Sequence, residues 1–147
     1  MKKILFLSLI ALTAVTACKK DSIGTKPQVS FVSYSTSRVI ASNGMDITFE
    51  VRDGDGDIEN ALNFVAIYDV DPTMDTVFEP RPMPDLGAHA GGNLKAEVVL
   101  HLVGTDFPQI APNPITKDSV HYLVFVQDNA GNSSDTIVTP KIEVLYQ

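Results

Sequence analysis

A chain of 147 residues with one cysteine, no tryptophan and a formal charge of −7 is sized for one domain and excludes an internal disulfide. The acidic balance argues against a nucleic-acid surface, which needs clustered Lys and Arg. The chain starts Met1, Lys2, Lys3, continues over residues 4–17 with apolar and small side chains, and reaches Cys18. Two lysines followed by an apolar run of about 14 residues have the form of a secretory leader. As a helix that run reaches about 21 Å, short of the roughly 30 Å hydrocarbon core, so a spanning helix is the weaker reading.

At the boundary stand Val15, Thr16, Ala17 and Cys18: an apolar residue, two small residues and the cysteine. This resembles the lipobox of bacterial cell-envelope lipoproteins. The resemblance implies that residues 1–17 are a cleaved signal peptide and that the Cys18 thiol receives diacylglycerol. The new amine then takes a further fatty acyl chain such as palmitate. The alternative is an ordinary secreted protein with a chance cysteine, which would leave a free thiol in an oxidising compartment. Two or more acyl chains make a bilayer attachment nearly permanent, so the expected partner is the lipid bilayer. In the best-known sorting rule of that family, an aspartate after the cysteine retains the protein at the inner membrane. Here Lys19 stands in that place, which points to the outer membrane.

Without Lys2 and Lys3 the mature chain stands at −9, which favours solubility. Residues 18–27 are polar, carry Gly24 and Pro27, and read as a lipidated N-terminus and short tether. Residues 28–147 form the domain, where period-two alternation dominates. Strands are expected over 29–34, 45–52, 62–68, 95–103, 120–127 and 134–145. In the second of these, Met45, Ile47, Phe49 and Val51 alternate with Asp46, Thr48, Glu50 and Arg52. Pro140 interrupts the last, as an edge or bulge position allows. The connection 71–93 is long enough to hide a short strand around 76–79. No segment has an apolar stripe at helical spacing. About seven strands in this arrangement make an all-β Greek-key sandwich.

Residues 122–134, Tyr-Leu-Val-Phe-Val-Gln-Asp-Asn-Ala-Gly-Asn-Ser-Ser, resemble the last hairpin of immunoglobulin-like and fibronectin-type-III-like domains. That resemblance covers roughly 115–145 and casts Tyr122 as a tyrosine corner, its hydroxyl bonded to nearby backbone. It implies a fold and little about function, since such sandwiches host many roles.

The most unusual stretch is Asp53-Gly54-Asp55-Gly56-Asp57-Ile58-Glu59. Carboxylates at every second position, with glycines between, let several oxygens face one point, as a hard cation such as Ca²⁺ wants. It is not an EF-hand: counted from Asp53, the sixth position is Ile58 and the twelfth Phe64, where glycine and glutamate are needed. It resembles the Asp-Gly-Asp-Gly-Asp loops of envelope Ig-like lipoproteins, some of which bind calcium. If 45–52 and 62–68 are consecutive strands across the sandwich, this loop and the turn 128–132 share one end. Asp128 and Asn129 would then complete a cation's shell. The competing reading is a pair of good Asp-Gly turns, solvated and tolerable in salt. A looser acidic group, Asp69, Asp71 and Asp75, falls at the other end and reads as a solvated loop.

Catalytic signatures are absent from the sequence. His89, His101 and His121 are scattered, and no His-Glu-x-x-His, Gly-x-Ser-x-Gly or phosphate loop occurs. The expectation is a lipid-anchored, non-catalytic binding or structural module with a calcium-stabilised loop end. Two rivals stand beside it. One is a glycan-binding accessory of a nutrient-uptake system, weakened by the lack of Trp. The other is an assembly factor of an envelope complex, contacting another envelope protein.

Overall fold

The computed structural model describes residues 24–58, 60–73, 77–84, 92–108 and 116–147. The residues read as a leader, 1–17, together with Cys18, Glu59, Asp75, Thr76 and His89, lie outside the described residues. Nine strands are present among the described residues: β1 (Gln28–Tyr34), β2 (Arg38–Ile40), β3 (Met45–Asp53), β4 (Ala61–Tyr68), β5 (Glu79–Pro82), β6 (Leu94–Leu102), β7 (Lys117–Gln127), β8 (Ile137–Val138) and β9 (Ile142–Leu145). They form a three-stranded sheet, β1-β3-β6, and a second sheet, β2-β9-β7-β4-β5, with β8 also on β7. The two sheets pack face to face as an all-β sandwich. Two 3₁₀ turns, Ala41–Asn43 and Gly104–Asp106, are its helical elements among the described residues, and no described helix is long and apolar enough to cross a membrane.

Alternation decides which side chains enter the core. Along β3, Met45, Ile47, Phe49 and Val51 are buried, and an unbroken register from Met45↔Leu102 to Asp53↔Leu94 sets them against Leu100, Val98 and Ala96 of β6. From the opposing sheet come Leu62, Phe64 and Tyr68 of β4 and Val120, Tyr122, Val124 and Val126 of β7. β7 is the central strand, flanked by β4 and β9. Its outward-facing residues are only half-buried; Phe125 there meets Phe78 edge-on at 5.0 Å.

Two strands beyond the expected seven are too short for any periodicity: β2 has three residues and β8 two. β2 exists because it pairs in parallel with β9, more than a hundred residues away in sequence, and that pairing leaves Val39 with no exposed surface. The strand expected around 76–79 begins at Glu79 and runs to Pro82. Pro80 and Pro82 are tolerated because β5 is an edge strand. The last expected strand is split into β8 and β9, with Pro140 in the break.

Tyr122 is not a corner. It sits at an inward position of β7, 1 % exposed and 6.3 Å from the Phe64 ring, and its hydroxyl has no hydrogen-bond partner among the described residues. The bond to backbone across the sandwich is made by Tyr34 at the end of β1. Its hydroxyl lies 2.5 Å from the Pro140 carbonyl oxygen and 2.7 Å from Thr139 Oγ1. Thr139 Oγ1 in turn accepts the Tyr122 amide at 2.9 Å, which satisfies backbone where Pro140 breaks the ladder. Tyr34→Phe is therefore expected to cost about 1 kcal/mol, whereas Tyr122→Phe, which removes an unsatisfied hydroxyl, is neutral or stabilising. Urea unfolding of both variants checks the contrast.

Gly44, which leads into β3, adopts φ +69°, and a Cβ there would lie 2.1 Å from the Leu102 carbonyl oxygen. Neither backbone strand has room to retreat within the β3–β6 ladder. Gly44→Ala is expected to cost about 3 kcal/mol or more, combining left-handed strain with overpacking, read as a fall of roughly 10 °C or more in Tm.

Candidate metal centre

The parity that buries Phe49 and Val51 also buries the residue two further on. Asp53 ends β3 on its inward face and is 0 % exposed. A carboxylate there has left water without gaining a cation from the protein: among the described residues no Lys or Arg pairs with it. One oxygen, Oδ2, accepts the Asp57 amide at 2.9 Å and closes the turn. Gly56, at φ +74°, supplies the left-handed step this closure needs. Ile58, fully buried, plugs the end of the core behind it.

This turn gathers the carboxylates of Asp53, Asp55 and Asp57, one oxygen of each lying within 4.8 Å of the others. Oδ1 of all three is enclosed and has no hydrogen-bond partner among the described residues. Burial pushes the Asp53 carboxyl above the ordinary aspartate value, and the Asp55 carboxylate beside it adds to the shift. Asp57 is also raised, by burial and then by the negative charges of Asp128 and Asp55. Oxygen ligands on opposite sides of one Ca²⁺ stand about 5 Å apart, and Ca²⁺ takes six to eight of them. Three convergent carboxylates, each with an unpartnered oxygen, therefore fit a hard divalent cation, with water or another oxygen donor filling the remaining places.

The second loop arrives where the sequence placed it. Asn129 donates its amide to the Asp57 carbonyl at 2.9 Å, and Asn60 Nδ2 donates to the Asp128 carbonyl at 3.2 Å. Asp128, fully buried, nevertheless plays another part. Its Oδ1 accepts the Asn132 amide at 2.7 Å and its Oδ2 the Asn132 side-chain amide at 2.8 Å. It braces the turn 128–132, in which Gly131 takes φ +90°, and contributes field rather than a vacant oxygen. Asn129 reaches the cluster through its backbone, its residue otherwise exposed. The three-carboxylate group thus comprises Asp53, Asp55 and Asp57.

Asn60 and Asn132 were not evident as site residues, though an aspartate four residues before an asparagine with glycine between is a turn signal. At the other end, Asp69 pairs with Lys141 at 2.7 Å and Asp71 accepts the Thr73 amide and hydroxyl, so these two members of the looser acidic group are engaged within the protein; Asp75 lies outside the described residues. His101, on the exposed face of β6, lies beside Asp46. Compared with protein-family models, curated proteins and solved structures, the chain matches none, and the reading of the site rests on its own geometry.

Proposed function

We propose that this protein is a lipid-anchored, non-catalytic module of a bacterial cell envelope, tethered through acylated Cys18 and carrying a calcium-braced loop end. The leader and the residues 15–18 support the anchor, and Lys19 favours the outer membrane. The strand order, with β1-β3-β6 facing β2-β9-β7-β4-β5 and a parallel β2–β9 pair, supports the likeness to immunoglobulin-like sandwiches. The observation that carries the cation is the fully buried Asp53, with one carboxylate oxygen left without a partner, in a group of three aspartates that each bring an oxygen within 4.8 Å of the others. Solvated Asp-Gly turns would leave that oxygen in water.

A cleft of about 140 Å³ beside β4 is lined by Phe64, Tyr68, Glu79 and Asp106 among others. Its polar groups are engaged: Asp106 accepts Arg81 at 3.0 Å and the Val103 amide at 2.8 Å, and the Tyr68 hydroxyl donates to the Asp106 carbonyl. That favours a structural cleft over a catalytic one. The large apolar side chains exposed among the described residues are all valines, so no aromatic platform supports the glycan-binding reading. Two measurements test the proposal. Mass spectrometry of the membrane-purified protein is expected to find an acylated N-terminal Cys18; an unmodified thiol overturns the anchor. Calorimetric titration of residues 24–147 with Ca²⁺ is expected to give saturable heat; a flat trace with unchanged Tm overturns the cation site.

A further inference from the structure

The chain joins the sandwich at the same end as the acidic loop. Gln28, the first residue of β1, pairs with Arg52, next to Asp53. Just before it, the Thr25 carbonyl accepts Asn132 Nδ2 at 3.3 Å and Lys26 pairs with Asp135 at 2.6 Å. The start of the domain is thus stitched to the turn 128–132, which is stitched to Asp57. From Cys18 to Gly24 the chain can span at most about 22 Å even fully extended. The sandwich is longer than that: the 11 residues of β7 extend about 36 Å. The 3₁₀ turns at Ala41–Asn43 and Gly104–Asp106 lie at its far end.

Resting on the anchor and the cation site proposed above, we infer that the acidic-loop end is the membrane-facing end of the domain. A divalent cation held by Asp53, Asp55 and Asp57 cancels charge at that end and lets it settle on anionic lipid. Without the cation, the aspartates at this end, Asp53, Asp55, Asp57, Asp128 and Asp135, together with Glu50, outnumber its cations Lys26, Arg52 and Lys95, and an anionic surface repels it. With the cation, two of those charges are neutralised and the repulsion falls; because the cluster's oxygens are enclosed, the cation acts on the surface through its field. By linkage the effect runs both ways: the surface strengthens cation binding as much as the cation strengthens seating. Enrichment of a divalent ion at an anionic surface is on the order of tenfold.

The full mature lipoprotein, reconstituted in phosphatidylcholine vesicles with or without 30 % phosphatidylglycerol, tests this. An added cysteine is the only free thiol once Cys18 is acylated, so a fluorophore can be placed at Ala130→Cys on the loop end or Ser42→Cys at the far end. Energy transfer to headgroup-labelled lipid is expected to be several-fold stronger from position 130. Ca²⁺ is expected to raise it further on anionic vesicles, with an apparent affinity about tenfold tighter than on neutral ones. Asp53→Asn should keep the anchoring and lose the Ca²⁺ effect. Equal transfer from both positions, or equal Ca²⁺ affinity on both vesicles, overturns the inference while leaving the anchor and the cation site intact. An unmodified Cys18, or absence of Ca²⁺ binding by the domain in solution, overturns the proposed function and this inference with it.

Discussion

A chain starting at Lys19, exported behind an ordinary cleavable leader, is expected to leave the membrane fraction entirely, while the native protein sediments with it. One acyl chain supports a partition constant on the order of 10⁴ M⁻¹, and a second makes detachment negligible on any experimental timescale. The described part of the protein offers nothing comparable. Its exposed apolar side chains, Val32, Val70, Val77, Val99, Val103 and Val138, come from several different strands and loops, and the mature chain is strongly acidic. Carbonate washing followed by immunoblotting separates the outcomes. Retention of the Lys19 form would mean that something other than the lipid holds the protein, and the anchor would lose its role.

The second large effect is on stability. At Ca²⁺ a hundredfold above Kd, the domain is expected to gain about 2.7 kcal/mol, roughly 10 °C in Tm for a domain of this size. Asp53→Asn should abolish that gain. It should not unfold the protein, because the asparagine carbonyl oxygen still accepts the Asp57 amide and a buried charge has been removed. In the absence of Ca²⁺ this variant is expected to be as stable as the parent or more so at neutral pH. A merely structural aspartate would give the opposite: a large loss in both conditions.

The pH dependence has a definite sign. Asp53 and Asp57 hold their protons more tightly in the folded state than at the ordinary value of 3.8. Their contribution is therefore fully present below that value and is lost as pH rises through the elevated values. Glu50, held down by Lys95 and Arg52, and Glu143, held down by Lys117 and Arg38, act in the reverse sense below the usual glutamate range, but both are surface groups. The cation-free domain is thus expected to melt at a higher temperature as the pH is lowered from neutrality toward the aspartate range, since protonation relieves the cluster. Ca²⁺ should remove the deficit at neutrality and have little effect in acid, where protons compete for the same oxygens. Thermal melts across that range, with Ca²⁺ or with a chelator, check this. A melting temperature independent of pH in the chelator would show that the three carboxylates are not in conflict.

Much of the architecture was legible because it depends on neighbours in the chain. The alternation through Met45, Ile47, Phe49 and Val51 is a local pattern. From sequence this strand ends at residue 52 and Asp53 falls to the loop; the structure carries the alternation one residue further and buries it, while the glycines at 54 and 56 already demand a tight turn. What the chain could not announce depends on partners far along it. The three residues of β2 are a strand only because β9 lies beside them. Tyr34, and not Tyr122, bonds across the sandwich because Pro140 leaves a free carbonyl within its reach.

The site divides along the same line. From sequence alone, Asp53, Asp55, Asp57, Asp128 and Asn129 are equivalent candidates, oxygen-bearing residues near two turns. Only the folded packing distinguishes them, because hydrogen-bond saturation is a property of neighbours: Asn132 occupies both oxygens of Asp128, while the enclosed Oδ1 atoms of the other three aspartates have no partner. Which end of the sandwich the chain enters was likewise decided by contacts from Thr25 to Asn132 and from Lys26 to Asp135, across more than a hundred residues. Sequence determined the chemistry available at each position; tertiary packing determined which of those groups was already satisfied and which was left to seek a ligand.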